Sequence, residues 1–108
     1  MTVNVLGTEY EIIVSSETSE PYLKECDGFC DNSIKQITVD ELKDDAVGSK
    51  KNLDFQRNKN IRHELVHAFL FESGLAENSQ WAYNEECVDW IASQFPKLLK
   101  AFESVGAL

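Results

Sequence analysis

The stretch Ile61-Arg62-His63-Glu64-Leu65-Val66-His67-Ala68-Phe69 decides how this chain reads. It holds His-Glu-x-x-His inside a helical pattern of apolar residues. At about 3.6 residues per turn, positions i and i+4 lie one above the other, so His63 and His67 present both imidazoles to one point. Two neutral ring nitrogens at that spacing can fill two corners of a tetrahedral zinc. Glu64 stands about 100° further around the helix. From there its carboxylate can take the proton of an attacking water without itself binding the metal. His63 and His67 are the only two histidines in 108 residues, which makes chance a poor account of their spacing.

Catalytic zinc usually takes three protein ligands and leaves one position open. The third cannot be a histidine, because none is left. A pattern continuing with Gly at 70 and His at 73 is excluded as well, since Leu70 and Ser73 stand there. That leaves a carboxylate or a cysteine. The candidate stretch is Asn84-Glu85-Glu86-Cys87-Val88-Asp89-Trp90. Read as a helix, its apolar stripe is Val88, Ile91, Ala92 and Phe95. Glu85 borders that stripe, within about 60° of Val88, whereas Glu86 points roughly 160° away and toward solvent. Asp89, one turn beyond Glu85, can accept the outer N–H of a ligand histidine and so hold its tautomer. The plain alternative is a surface helix carrying three acids.

Outward from these segments, the periodicity predicts a long helix over 53–72 that stops near Gly74. A short segment covers 75–82, and a second long helix starts about Tyr83, kinked or restarted at Pro96. Leu98, Leu99, Phe102 and Val105 give its last part an apolar face. The first forty residues read as sheet. Thr2 to Leu6 and Glu9 to Val14 flank Gly7-Thr8, a pair suited to a type II′ hairpin turn. Residues 15–28 form a polar loop broken by Pro21 and Gly28, with room for one helical turn. Phe29-Cys30 and Ile34 to Val39 make a second hairpin across Asp31-Asn32-Ser33. Neither face of 34–39 is cleanly apolar, which predicts an edge strand. The chain is therefore expected to be one α+β domain over 1–108. Residues 1–39 form a small antiparallel sheet, 40–52 a charged surface connection, and 53–108 the helices.

Composition agrees with a globular domain. Ten basic residues against 19 acidic ones give a net charge of −9, which argues against nucleic acid or an anionic membrane as partner. No apolar run approaches the roughly 18 residues of a membrane span. The N-terminal MTVNVLGTEYEIIV alternates and carries two glutamates, so it does not read as a signal peptide and a cytoplasmic protein is expected. Three cysteines, Cys26, Cys30 and Cys87, are too few for a disulfide scaffold. Cys26-x-x-x-Cys30 lacks the further ligands of a structural zinc and reads as inert thiols. Phe69, Phe71, Trp81, Trp90, Phe95 and Phe102 read as core. Arg62 is either a surface charge or the partner of an acid.

His63-Glu64-x-x-His67 followed by Asn84-Glu85-x-x-x-Asp89 resembles the gluzincin zinc metallopeptidases. It is most similar to their very small members, the minigluzincins and the ImmA/IrrE-like proteins carried by phages and mobile elements. The likeness rests on RHELVHAFLFESGL and the acidic helix after it, about 61–95, and covers the N-terminal third only loosely. It implies one zinc held by His63, His67 and Glu85, with Glu64 as general base and acid and Asp89 as the acceptor behind a ligand histidine. It implies a zincin-like fold whose edge strand, 34–39, pairs with an extended peptide or protein substrate above the metal. Larger relatives add a His or Tyr that stabilises the oxyanion. Tyr83, Tyr22 and Arg57 are the donors available for that task here. The expected function is zinc-dependent peptide hydrolysis; the alternative is a zinc-binding phage or prophage interaction module that does not hydrolyse.

Overall fold

Buried backbone N–H and C=O groups need partners, and the N-terminal residues find theirs in a hairpin. In the computed structural model, which describes residues 1–43 and 51–108, β1 (Thr2–Val5) pairs antiparallel with β2 (Thr8–Ser15). The turn falls on Leu6-Gly7 rather than Gly7-Thr8. Leu6 and Gly7 have φ of 51° and 92°, and two successive positive φ values characterise the type I′ turn, whose twist matches the strands. Asn4 Oδ1 accepts the Gly7 N–H at 2.9 Å. The second hairpin joins β3 (Gly28–Asp31) to β4 (Gln36–Asp40). Asp31 Oδ1 accepts the Ser33 N–H at 3.0 Å, an Asx turn. The turn runs on to Lys35 (φ 57°), so Ile34 lies in it and is exposed.

The sheet is mixed, not antiparallel. Its order is β1-β2-β4-β3, with β4 parallel to β2 from Glu11↔Gln36 to Ser15↔Asp40. The 34–39 segment expected at the edge is therefore interior, and the edges are β1 and β3. A parallel neighbour requires a crossover. Residues 16–27 provide it, with a 3-10 turn at Pro21–Lys24 and Leu23 buried, and β4 then returns between β2 and β3. Ile37, Thr38 and Val39 are all buried, the mark of a strand covered on both faces.

Helix α1 spans Leu53–Glu72, as its periodicity predicts. Asn52 Oδ1 accepts the Phe55 N–H at 3.1 Å, and Gly74 follows the last turn at φ 83°. A short α2 (Leu75–Asn78) and a 3-10 turn (Gln80–Tyr83) lead to α3 (Glu85–Ser104). Helix α3 runs through Pro96 without restarting. Between the sheet and α1 lies one core of Val5, Tyr10, Ile12, Ile37, Val39 and Ala68, with Ile61 and Leu65 against it. A second core of Leu70, Ala82 and Val88, with Val66 and Ala76, joins the far side of α1 to α3. At the C-terminal end of α1, Glu72 accepts from Tyr10 Oη at 2.9 Å and from Lys35 Nζ at 3.0 Å, tying helix to sheet.

The aromatics expected in the core stand mostly at its rim. Phe69, Trp81, Trp90, Phe95 and Phe102 are between 43% and 58% exposed. Two thin cores on either side of one helix are filled by aliphatic residues and Tyr10, so ring-sized side chains cover their margins. The stripe on α3 divides likewise: Val88 and Ala92 are buried, but Phe102 and Val105 are exposed. Most of the charged 40–52 connection, residues 44–50, lies outside the described residues. Among the described residues no helix is long and apolar enough to cross a membrane.

Candidate metal centre

The i, i+4 spacing places the His63 and His67 rings on one face of α1, with centroids 4.9 Å apart. Opposite them α3 begins. Asn84 Oδ1 caps it by accepting the Cys87 N–H at 2.8 Å, which makes Glu85 the first helical residue. An acid is favourable there beside the positive end of the helix dipole. The Glu85 carboxylate spans both rings, with Oε2 2.9 Å from His63 Nε2 and Oε1 3.0 Å from His67 Nε2. Glu86, on the same first turn, is exposed and outside this cluster.

Behind His63, Asp89 Oδ1 lies 3.2 Å from Nδ1, and Lys59 Nζ approaches the same oxygen at 3.3 Å. Burial pushes the Asp89 carboxyl up, but hydrogen bonds and charge from Lys59 and His63 outweigh it and hold the group below the usual carboxylate range. Burial lowers the His67 pKa against the pull of Glu85, leaving the neutral ring that a metal requires.

His63, His67 and Glu85 could hold a metal ion, since one donor atom from each lies within 4.8 Å of the others. Tetrahedral zinc with bonds of about 2.0 Å keeps its donors roughly 3.3 Å apart, so the three side chains, whose donor atoms lie within 4.8 Å of one another, would close in on an ion. The chemistry of the set agrees. With Nδ1–H donated to Asp89, His63 Nε2 carries a lone pair and faces a carboxylate oxygen. Two electron-rich atoms that close are stable only with a proton or a cation between them.

Glu64, next to His63 on α1, is 7% exposed. Its stem rests on Gly28, where an added Cβ would lie 3.5 Å from Glu64 Cγ, 3.0 Å from Val39 Cγ1 and 3.1 Å from the Thr38 oxygen. The tight approaches at Gly28 are to Val39 and Thr38 of β4, whereas the Glu64 stem would stand in ordinary contact. Burial pushes the Glu64 carboxyl up to about 7; His63 opposes this and Glu85 adds to it. A carboxyl poised there can both take and return a proton near neutral pH.

One cleft is lined by these four residues, by Gly28, Phe29 and Cys30 of β3, and by Tyr22 and Tyr83. Arg57 is not among its walls: its guanidinium binds the Glu41 carbonyl and Asp54. Cys26 and Cys30 do line it. Burial raises both thiols, Cys30 to about 12, so they are protonated and outside the donor cluster. The sequence reading missed Gly28, Gln56, Lys59 and Asn60, all in the cleft wall. A signal for two of them existed, because Gln56, Asn60 and Glu64 recur every fourth residue on one face of α1. Compared with known proteins, the chain matches no family model, no curated protein and no solved structure.

Proposed function

We propose that this chain is a zinc metallopeptidase-like protein of minimal zincin-like fold that hydrolyses peptide bonds. The observation that carries the reading is the single Glu85 carboxylate spanning the Nε2 atoms of His63 and His67, beside the buried Glu64. A zinc ion bound there would supply Lewis acidity toward a scissile carbonyl and a water. His63 (oriented by Asp89), His67 and Glu85 would hold the ion. Glu64 takes the proton of the attacking water and hands it to the leaving amine. The phenols of Tyr22 and Tyr83 are the donors in the cleft for the developing oxyanion. An extended peptide would pair with the free edge of β3, which takes the role first expected of 34–39.

A second reading is a zinc-binding interaction module without hydrolysis. The absence of a third histidine and the engagement of Arg57 elsewhere favour it. The test is metal content by elemental analysis, followed by cleavage of a peptide library. About one zinc per chain, lost in His63→Ala and weakened in Glu85→Gln, supports the site. Cleavage abolished by Glu64→Gln supports the peptidase, whereas no cleavage by the zinc-loaded wild type leaves the module. Absence of zinc after reconstitution sinks both.

A further inference from the structure

Helix α1 buries a polar line where a core would be apolar. Gln56, Asn60 and Glu64 are 8%, 8% and 7% exposed, and Ala68 continues the line into the core. Such groups are kept in an interior when they are paired or when they act. Glu64 has its task above. Gln56 Nε2 donates to Asn60 Oδ1 at 3.0 Å, which occupies the Asn60 oxygen and turns its nitrogen the other way. Asn60 Nδ2 is then a buried side-chain donor with no acceptor among the described residues. Asn60 lies in the wall of this cleft, one helical turn before Glu64, with its Nδ2 covered from solvent.

We infer that Asn60 is a ligand-binding residue whose Nδ2 donates to a neutral amide carbonyl of the peptide in this cleft. The inference takes the identity of the ligand from the proposed function. The donor itself does not depend on that reading. A donor with no lone pair to offer asks for an acceptor. The acceptor is uncharged because Asp27, Glu64, Glu85 and Asp89 surround the space and Lys59, the cation in the wall, is engaged by Asp89. A peptide supplies such a carbonyl from its main chain or from a Gln or Asn side chain. Docking it converts an unpaired buried N–H into a hydrogen bond, a gain specific to the bound state.

The test uses hydroxamates of N-acetylglutamine and N-acetylleucine, which anchor on metal, with zinc-loaded wild type and Asn60→Leu. Zinc content and thermal melting check that the variant folds and loads. Asn60→Leu should keep one zinc and bind the glutamine compound about tenfold more weakly. An equal loss for both compounds assigns the acceptor to the main chain, and a loss confined to glutamine assigns it to the side chain. Unchanged affinity for both overturns the inference. A measurement without metal keeps it testable should zinc fail to bind: titration of the 15N-labelled protein with acetamide should shift the Asn60 side-chain amide signals, and no shift overturns it as well.

Discussion

Arg62 Nε donates to the Ala92 carbonyl oxygen at 2.7 Å, and that carbonyl is the one Pro96 leaves without its helical partner. In an α-helix the N–H of residue 96 would bond the oxygen of residue 92, and proline has no N–H. Arg62 therefore repairs a defect in α3 from the neighbouring helix. It does so one residue before His63 and three residues after Asp89, so the repair also ties α1 to α3 beside the candidate metal centre.

This pairing predicts a non-additive stability cycle. Arg62→Met should destabilise the protein by about 1–3 kcal/mol, because it leaves a buried carbonyl unpaired. In a Pro96→Ala background the helix supplies its own donor, and the same change should cost distinctly less. Urea denaturation of the four proteins measures the coupling. Additive effects would refute it.

The bond between Asp89 and His63 should tune metal affinity rather than create the site. Asp89→Asn is expected to weaken zinc binding by about 10–100-fold, since the ring loses a charged acceptor that orients it. Glu86→Gln should leave affinity unchanged. Competition with a chromogenic chelator gives both numbers.

Glu64→Gln is expected to retain zinc while lowering peptide hydrolysis by on the order of 10²–10⁴. Parallel elemental analysis and cleavage assays on the same preparation check it. Loss of zinc together with activity would mean that Glu64 helps to bind the metal instead of moving protons.

A side chain at Gly28 would be a tight fit against β4. Gly28→Ala sets a methyl 3.0 Å from Val39 Cγ1 and 3.1 Å from the Thr38 oxygen, and should destabilise the fold by about 1–3 kcal/mol through overpacking. Because the Glu64 stem rests on the same spot, hydrolysis should fall more than stability alone explains. Denaturation curves and kcat measured well below the melting temperature separate the two effects.

Acid should loosen the far end of α1. Hydrogen bonds from Lys35, Thr8 and Tyr10, with the charge of Lys35, hold the Glu72 carboxyl below its ordinary value of 4.5. A depressed folded pKa contributes stability that is present above the unfolded value and is lost as pH falls through the folded one. The melting temperature should therefore drop below about pH 4.5, and Glu72→Gln should flatten that part of the profile. Thermal melts from pH 3 to 7 test it.

What could be read from the chain was local. The 53–72 helix and its end at Gly74 follow from periodicity and a glycine stop, both within a few residues of the features they set. The convergence of His63 and His67 follows from helical geometry alone. Even the preference for Glu85 over Glu86 was legible, because it depends on angle around one helix, and the structure places Glu85 across both rings while Glu86 faces water.

Contacts between distant segments decided the rest. Nothing near 34–39 says that β4 will lie parallel to β2, because that outcome depends on a crossover through residues 16–27 and on burial of both faces at Ile37, Thr38 and Val39. Arg62 was ambiguous until Ala92, thirty residues away, presented a carbonyl without a partner. Spacing alone did not single out Asn60, and only the folded chain shows its amide nitrogen buried without an acceptor among the described residues. Local geometry is written in spacing, since a helix repeats every few residues. Desolvation and pairing belong to the assembled layers, and only there do a buried amide and an orphaned carbonyl acquire their meaning.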